Sequence, residues 1–222
     1  MTDPTDPRLP ARSGTAKQLV VLLHGYGADG RDLIDIAHAW ANDLPDAAFV
    51  APHAPEPCAE APVGRQWFRL TDREPPERWR GVTQAGPALD AVLDAELARH
   101  EVPGDRLALV GFSQGAMMAL HAGLRRVPSP AAIVGYSGLL VLEPGLGPEG
   151  LTAAIRGRPP VLLVHGDRDE VVPAEALGFS AGALARAGIA CEHHLTAGLG
   201  HGIDEAGLRR GARFLRQVFG LD

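Results

Sequence analysis

The sequence predicts an α/β fold in which helices cover both faces of a mostly parallel central sheet. Short apolar runs, typical of strands that are buried on both faces, alternate with longer segments in which apolar residues recur at helical spacing. The connections between them are short, as expected where helices join parallel strands. Neither an internal repeat nor an interdomain linker is found, so the 222 residues are expected to form one domain.

The first sixteen residues are rich in proline and polar side chains. We expect residues 1–16 to form a loose tail and residues 17–222 to form the domain. The apolar runs then predict strands at Gln18–Leu23, Ala47–Val50 and Leu107–Val110, and helical spacing predicts helices at Arg31–Leu44 and Thr83–Glu101. A Pro-rich loop over residues 51–62 returns through residues 64–70, and loops of this length are often functional.

The second half of the domain continues the alternation. Strands are predicted at Ala131–Tyr136, Val161–Val164 and Ile189–Leu195, and helices at Gln114–Arg125, Ala174–Ala187 and Ile203–Val218. In open sheets of this kind, ligands bind beyond the carboxyl ends of the strands. The residues that directly follow these strands are therefore the candidates for a functional site.

Composition excludes several classes of partner. The net charge is −6 and no basic stripe is present, so binding to nucleic acid or to an anionic membrane is not expected. No transmembrane run is found, and the acidic, Pro-rich N-terminus lacks the pattern of a signal peptide, so we expect a cytoplasmic protein without stable membrane insertion. Cys58 and Cys191 are far apart and are expected to be free thiols.

Ser113 is the candidate nucleophile. It lies at the centre of Gly111-Phe112-Ser113-Gln114-Gly115, between a predicted strand and a predicted helix. A G-x-S-x-G turn in this context holds serine in a strained conformation at the tip of a buried strand. The alternative is an ordinary N-cap serine in a Gly-rich connection, so the interpretation depends on finding partners for Ser113 elsewhere.

His201 is the candidate general base. The chain order in this architecture is nucleophile, acid and then histidine. Five histidines follow Ser113, namely His121, His165, His193, His194 and His201. His201 is favoured because it lies in a glycine-flanked loop after the last strand, whereas His121 lies in a helix and the adjacent His193 and His194 lie within a strand. His165 is the second choice, and the alternative for His201 is a solvated loop histidine.

Asp169 is the candidate acid. Asp167 and Asp169 share the turn after one strand, and a carboxylate is needed to accept a hydrogen bond from the imidazole and stabilise the imidazolium. Asp169 is favoured because the apolar segment after it can anchor the loop, while Asp167 is interpreted as a turn former. The backbone N–H groups of Tyr26 and Gln114 are the candidate donors to the oxyanion.

Four blocks of the chain resemble, in order, the phospholipase/carboxylesterase family of α/β-hydrolases, which includes acyl-protein thioesterases and small bacterial carboxylesterases. The blocks are Leu23–Gly30, Gly111–Gly115, His165–Pro173 and Gly200–Ile203. The resemblance implies an α/β-hydrolase fold as a single compact domain without a large lid, and a metal-free esterase with an open, shallow apolar site. It also implies a triad of Ser113, Asp169 and His201, with backbone donors at Tyr26 and Gln114.

Two aromatic residues are candidates for substrate binding. Trp67 and Phe68 resemble an aromatic segment of the family and are expected to line an acyl groove, the alternative being that they are packed in the core. No metal or cofactor is expected, because the histidines lack metal-ligand spacing and the glycine pattern beginning at Gly25 lacks the acidic residue of a dinucleotide site.

The sequence thus predicts a serine carboxylesterase that hydrolyses short- to medium-chain esters of small molecules through an acyl-enzyme. An acyl-thioesterase or lysophospholipase on the same triad is the alternative among enzymes. A non-catalytic ligand-binding relative of hydrolases is the alternative from another class. A homodimer formed through an exposed apolar surface is compatible with activity, and the sequence does not identify that surface.

Overall fold

The computed structural model describes residues 3–221 of the chain. Its strands are β1 Arg8–Leu9, β2 Gln18–Leu23, β3 Ala47–Val50, β4 Glu56–Pro57, β5 Arg65–Gln66, β6 Leu107–Phe112, β7 Ala132–Tyr136, β8 Val161–Gly166 and β9 Cys191–Thr196. Seven of them form one sheet in the order β1-β3-β2-β6-β7-β8-β9, and β4 pairs with β5 separately. Only β1 is antiparallel to its neighbour in the large sheet, so the prediction of a mostly parallel sheet is confirmed.

Six α-helices lie on the two faces of the sheet in the described chain. They are α1 Gly30–Trp40, α2 Pro75–His100, α3 Gln114–Gly123, α4 Gly147–Ala154, α5 Glu175–Arg186 and α6 Glu205–Phe219. Side chains of β2 alternate between two cores, with Val21 packed toward the face of α2, α3 and α5 and Leu22 toward the face of α1 and α6. Both faces are therefore covered, which explains why the central strands are continuous apolar runs. None of the described helices has the length and apolar character of a membrane span.

Three elements differ from the sequence predictions. Helix α2 begins at Pro75 rather than Thr83, because its two prolines occupy the first turn, where a missing backbone N–H costs nothing. Helix α1 ends at Trp40, before Pro45, and a capping box built on Asp29 fixes its start. Helix α4 was not predicted, because its eight residues, Gly147–Ala154, show no helical apolar spacing.

The N-terminal segment is held against the domain at Arg8. Strand β1 pairs with β3, opposing Arg8 to Val50, and the Arg8 guanidinium lies 2.7 Å from the carboxylate of buried Glu96 in α2. This differs from the loose tail expected over residues 1–16, because a buried carboxylate requires a charged partner and Arg8 supplies it. Residues 1 and 2 lie outside the described part of the chain.

Candidate active site

Ser113 lies in the turn between β6 and α3 in a strained backbone conformation. Its φ of 53° and ψ of −115° belong to a region that L-residues rarely adopt. The glycines on either side are required by packing, because a Cβ on Gly111 would lie 2.3 Å from the carbonyl oxygen of Gly115. A Cβ on Gly115 would lie 1.9 Å from the carbonyl oxygen of Leu23. The turn therefore holds Ser113 tightly between the ends of β2 and β6.

The loop after β2 is oriented by the buried side chain of His24. The Nδ1 atom of His24 lies 2.8 Å from the carbonyl oxygen of Gly25, and its Nε2 accepts a hydrogen bond from the backbone N–H of Ala54. These partners fix a neutral imidazole that carries its proton on Nδ1 and donates it to Gly25. Burial lowers the pKa of His24, which favours the same neutral form.

This hydrogen bond also sets the direction of the Tyr26 N–H. The carbonyl of Gly25 and the N–H of Tyr26 belong to one planar peptide and point in opposite directions. Since His24 holds the carbonyl from one side, the N–H points to the other. Neither the N–H of Tyr26 nor that of Gln114 donates to an acceptor within the described residues. Both residues line the cavity that contains Ser113, so both N–H groups remain available to a ligand.

The side chain of Gln114 supports the site from behind. It is fully buried, accepts a hydrogen bond from the backbone N–H of Trp67 and donates one to the carbonyl of Phe68. The indole N–H of Trp67 in turn donates to the carbonyl of His24. These contacts attach residues 67–68 to the ends of β2 and β6, and they satisfy polar groups that would otherwise be buried without partners.

Asp169 is nearly completely buried and accepts hydrogen bonds at both carboxylate oxygens. Its Oδ1 accepts from the backbone N–H groups of Val171 and Val172, and its Oδ2 lies 2.8 Å from Nδ1 of His201. Burial alone would raise the pKa of Asp169, but the hydrogen bonds from His201, Val172 and Val171 outweigh it, so the net shift is downward. A carboxylate in this position can hold Nδ1 of the imidazole protonated and leave Nε2 as the base.

A second imidazole also faces Asp169. Nε2 of buried His165 lies 3.2 Å from Oδ2 of Asp169 and 2.9 Å from the carbonyl oxygen of Val172. Both neighbours accept hydrogen bonds, so this nitrogen carries a proton. His165 therefore lies behind the carboxylate, which agrees with the interpretation that its position belongs to the acid rather than to the base.

Backbone contacts join the loops that follow β8 and β9. The carboxylate of Asp167 accepts from the N–H of Gly198 at 2.6 Å, and the N–H of Arg168 donates to the carbonyl of Leu199 at 2.9 Å. A Cβ on Gly166 would lie 2.2 Å from the carbonyl oxygen of Leu199. The prediction that Asp167 is a turn former bonded to local amides is therefore corrected: its carboxylate bonds the N–H of Gly198 in the neighbouring loop. These contacts keep Asp169 and His201 adjacent.

Ser113 and His201 line one cavity of about 310 Å³ at the carboxyl edge of the sheet. The ring of His201 lies 4.9 Å, centroid to centroid, from Phe112, the residue before Ser113. The other lining residues are Gly25, Tyr26, Ala28, Leu70, Arg73, Arg78, Gln114, Met117, Val171 and Val172. The structure thus brings Ser113, His201 and the two candidate donor residues, Tyr26 and Gln114, to the same cavity, with Asp169 behind His201.

Trp67 and Phe68 do not line this cavity. They are 3% and 4% exposed and belong to the core on the α2 side of the sheet. The expectation that they form an acyl groove next to Ser113 is therefore corrected: hydrogen bonds between the Gln114 side chain and the backbone of Trp67 and Phe68 hold this segment inward, as in the core alternative. Leu70 and Met117 contribute apolar surface to the cavity instead.

Sequence reasoning missed the contributions of His24, the Gln114 side chain, Arg73 and Arg78. The position of His24 directly after a buried strand was a usable signal, since that edge of the sheet was already identified. No sequence signal places the two arginines at the cavity. Within residues 3–221, no cluster of three or more His, Cys, Asp or Glu side chains is arranged to hold a metal ion.

Comparison with known proteins gives concordant results. A family model described as phospholipase/carboxylesterase matches residues 5–219. Acyl-protein thioesterase 1 of Schizosaccharomyces pombe is 31% identical over 167 residues, which are 73% of each chain. Esterase YpfH of Escherichia coli is 28% identical over 90% of this chain and 83% of its own. The crystal structure of esterase PE8 has a TM-score of 0.90 and 46% identity, covering 96% of this chain and 98% of that one.

Proposed function

Because the chain belongs to the phospholipase/carboxylesterase family, with an α/β-hydrolase fold, we propose that it is a serine carboxylesterase that uses Ser113, His201 and Asp169. The family and its relatives indicate a hydrolase with carboxylesterase or acyl-protein thioesterase activity. One observation supports the finer proposal more than any other. The His201 imidazole, hydrogen bonded to buried Asp169 at 2.8 Å, shares a cavity with a serine in a strained strand-to-helix turn.

The proposed reaction begins with attack of the Ser113 hydroxyl oxygen on the carbonyl carbon of an ester. The hydroxyl proton passes to Nε2 of His201, while Asp169 accepts the hydrogen bond from Nδ1 and stabilises the imidazolium. The carbonyl oxygen becomes negative and receives hydrogen bonds from the N–H groups of Tyr26 and Gln114. His201 then returns the proton to the departing alcohol, which leaves an ester between the acyl group and Ser113.

Water completes the proposed cycle. His201 removes a proton from a water molecule, whose oxygen attacks the acyl-enzyme carbonyl, and the same two backbone N–H groups stabilise the second oxyanion. Collapse of this intermediate releases the carboxylic acid, and His201 returns the proton to Ser113. The cavity of about 310 Å³ is at the small end of the range for ligand pockets, which supports short- to medium-chain acyl groups.

The decisive experiment combines ester turnover with covalent labelling. We expect the purified protein to hydrolyse para-nitrophenyl butyrate and to be labelled at Ser113 by a fluorophosphonate, because both need the activated hydroxyl. Ser113→Ala is expected to lose both, while Ser137→Ala, which changes a serine in the neighbouring turn, keeps labelling at Ser113. Turnover that persists in Ser113→Ala contradicts the triad, and an unlabelled, inactive wild-type protein favours the ligand-binding alternative.

An acyl-thioesterase with the same residues is the second candidate, supported by the similarity to the thioesterase of Schizosaccharomyces pombe. The proposed chemistry acts on an ester or a thioester carbonyl. The kcat/KM values for an ester and a thioester of the same acyl chain therefore distinguish a carboxylesterase from a thioesterase. We also propose a cytoplasmic location, no nucleic-acid partner, and a homodimer formed through an apolar surface. Size-exclusion chromatography with light scattering tests the last of these.

A further inference from the structure

The wall of the cavity formed by residues 70–78 presents two arginines to the cavity, although the segment also contains Asp72, Glu74 and Glu77. It contributes Leu70, Arg73 and Arg78, and no aspartate or glutamate lines the cavity within the described chain. The protein as a whole has a net charge of −6. Arg73 and Arg78 thus bring two positive charges to the cavity that contains Ser113, while the carboxylates of the same segment are not among its lining residues. We call residues 70–78 the arginine wall.

The arginine wall is fixed by Glu77. One carboxylate oxygen of Glu77 accepts a hydrogen bond from the backbone N–H of Thr71 at 2.7 Å, and the other accepts from Asp72 and from Arg73 at 2.8 Å. Arg73 has a φ of 58°, which is rare for a side chain of this type and is held by these contacts. The negative charge of Glu77 is thus engaged by the backbone of the turn, and neither of its oxygens forms an ion pair with Arg78.

Arg78 is half-buried and lacks a counter-ion in contact. No carboxylate within residues 3–221 lies at ion-pair distance from its guanidinium, and it donates no side-chain hydrogen bond there. Burial lowers the pKa of Arg78, and the more distant Glu74 and Glu77 offset only part of that effect. By contrast, the partly buried Arg126 forms ion pairs with both Asp90 and Asp94.

Arg78 lies between two cavities. Besides the cavity of Ser113, Arg78 borders an apolar recess that is also lined by Leu139, Leu140 and Phe179. Arginine commonly packs its methylene groups on such a surface and leaves the guanidinium at its polar edge. The planar guanidinium can bind the two oxygens of a carboxylate or phosphate at once, which a lysine cannot do.

We propose that Arg78 binds a negatively charged group of the substrate, so that the enzyme prefers anionic esters to neutral esters of the same shape. The inference rests on the proposed function, because it concerns the substrate of the same serine. An ester carries such a group either as a carboxylate on the acyl chain or as a phosphate on the alcohol. The carboxylate or the phosphate would bind the guanidinium of Arg78. Because Arg78 is half-buried, a charge-assisted hydrogen bond is stronger there than at the surface.

The test uses two pairs of substrates. The first compares mono-para-nitrophenyl adipate with para-nitrophenyl 6-methylheptanoate, whose branched end has the shape of the carboxylate. The second compares hexanoyl glycerol phosphate with hexanoyl glycerol. We expect the wild-type enzyme to favour the anionic member of one pair by about 10- to 100-fold in kcat/KM, mainly through KM and less strongly in high salt. The pair that shows the preference identifies whether the charge lies on the acyl or the alcohol side.

Substitutions of Arg78 test whether the preference for anionic esters depends on this residue. Arg78→Met keeps an apolar stem and is expected to lose the preference, measured as the ratio of kcat/KM for the anionic and neutral members of each pair, and Arg78→Lys is expected to keep part of it. Arg80→Met removes the same charge from the same helix outside the cavity and is expected to keep the full preference. No anionic preference in either pair, or a preference that Arg78→Met retains, overturns the inference. Hydrolysis of the neutral esters that is lost in Ser113→Ala tests the proposed function separately.

Discussion

The two walls of the cavity are built in opposite ways. On one side, Ser113, His201 and the turn after His24 lie beyond the carboxyl ends of strands, where His201 is hydrogen bonded to buried Asp169 and His24 to the Gly25 carbonyl. We call this side the sheet wall. On the other side, the arginine wall lies in a turn and the first turn of α2, and the Arg73 side chain is 52% exposed. Proposed chemistry and proposed substrate choice are thus assigned to parts that differ in burial, and each can be changed alone.

The largest effect is expected from Asp169→Asn, which removes the buried carboxylate that supports His201 in the sheet wall. An asparagine can no longer hold Nδ1 of His201 as the donor, so the imidazole loses the tautomer that leaves Nε2 free. We expect kcat to fall by about a thousand- to ten-thousandfold with little change in KM, measured with a neutral para-nitrophenyl ester. A folded variant that retains a tenth of wild-type kcat would show that Asp169 is not the partner of the base.

The second effect is expected at His24, which acts through the Gly25–Tyr26 peptide rather than by touching substrate. His24→Leu removes the shorter of two hydrogen bonds to the Gly25 carbonyl and leaves the one from the N–H of Ala28 at 3.3 Å, so the peptide can rotate and withdraw the Tyr26 N–H from the cavity. We expect kcat to fall by about 100-fold at nearly constant KM, as when one oxyanion donor is lost.

A matched variant distinguishes this positioning role of His24 from general destabilisation. The side-chain amide nitrogen introduced by His24→Asn can occupy the place of Nδ1 and donate to Gly25, but the shorter side chain does not reach the N–H of Ala54. Both variants should lose stability, whereas only His24→Leu should lose most of its kcat. Equal losses of kcat in the two variants would contradict the positioning role.

The third prediction concerns the support behind the sheet wall. Gln114→Met removes the acceptor of the Trp67 N–H and the donor to the Phe68 carbonyl, and both backbone groups remain buried. We expect the free energy of unfolding to fall by about 2 kcal/mol, measured by chemical denaturation. The backbone N–H of residue 114 is unchanged, so kcat should change by no more than a few-fold. A variant as stable as the wild type would show that these hydrogen bonds contribute nothing net.

A smaller effect is expected on the pH dependence of the free energy of unfolding, through a buried histidine in α3. Burial lowers the pKa of His121 in α3 from 6.5 to about 3, and its Nδ1 has no partner in the described residues. Between these two pKa values the unfolded chain binds a proton that the folded chain does not, so the free energy of unfolding falls as the pH is lowered below 6.5. Above pH 6.5, His121 makes its full contribution to the free energy of unfolding.

The corresponding variant is His121→Leu. When the pH is lowered from about 7 to about 5.5, the free energy of unfolding of this variant should fall by about 1 kcal/mol less than that of the wild type, because one titrating group has been removed. Urea denaturation at the two pH values measures this difference. Identical pH dependence in the two proteins would show that His121 does not titrate with the shifted pKa.

The contrast between the walls also explains what the sequence could predict. The sheet wall follows strands directly, so short motifs around Ser113, Asp169 and His201 could be assigned to one edge of the sheet from strand order alone. The long-range contacts of that wall were less accessible. The inward turn of Trp67 depends on the side chain of Gln114, and no local pattern in residues 64–70 records that partner.

The arginine wall could not be predicted from the sequence. Its geometry depends on a helix that begins at two prolines and on Glu77, whose carboxylate binds three backbone N–H groups of the preceding turn. Apolar spacing marks only the later part of α2, where the helix packs on the core, so the predicted start at Thr83 left Arg78 outside any element. Polar residues that cap a helix form a weaker sequence pattern than the periodic apolar residues of its buried face.

The smallest effect is expected for Arg73→Met and tests whether the arginine wall has one binding centre or two. Arg73 lies 3.9 Å from Glu60, and its side chain is half exposed, so solvent and this carboxylate already compensate its charge. We expect the preference for the anionic ester to fall by only about two- to threefold, measured as the ratio of kcat/KM values for the matched adipate and branched neutral esters. A loss as large as in Arg78→Met would mean that both guanidinium groups hold the anion together, and the substrate charge would then lie nearer to the turn at residues 71–73 than to helix α2.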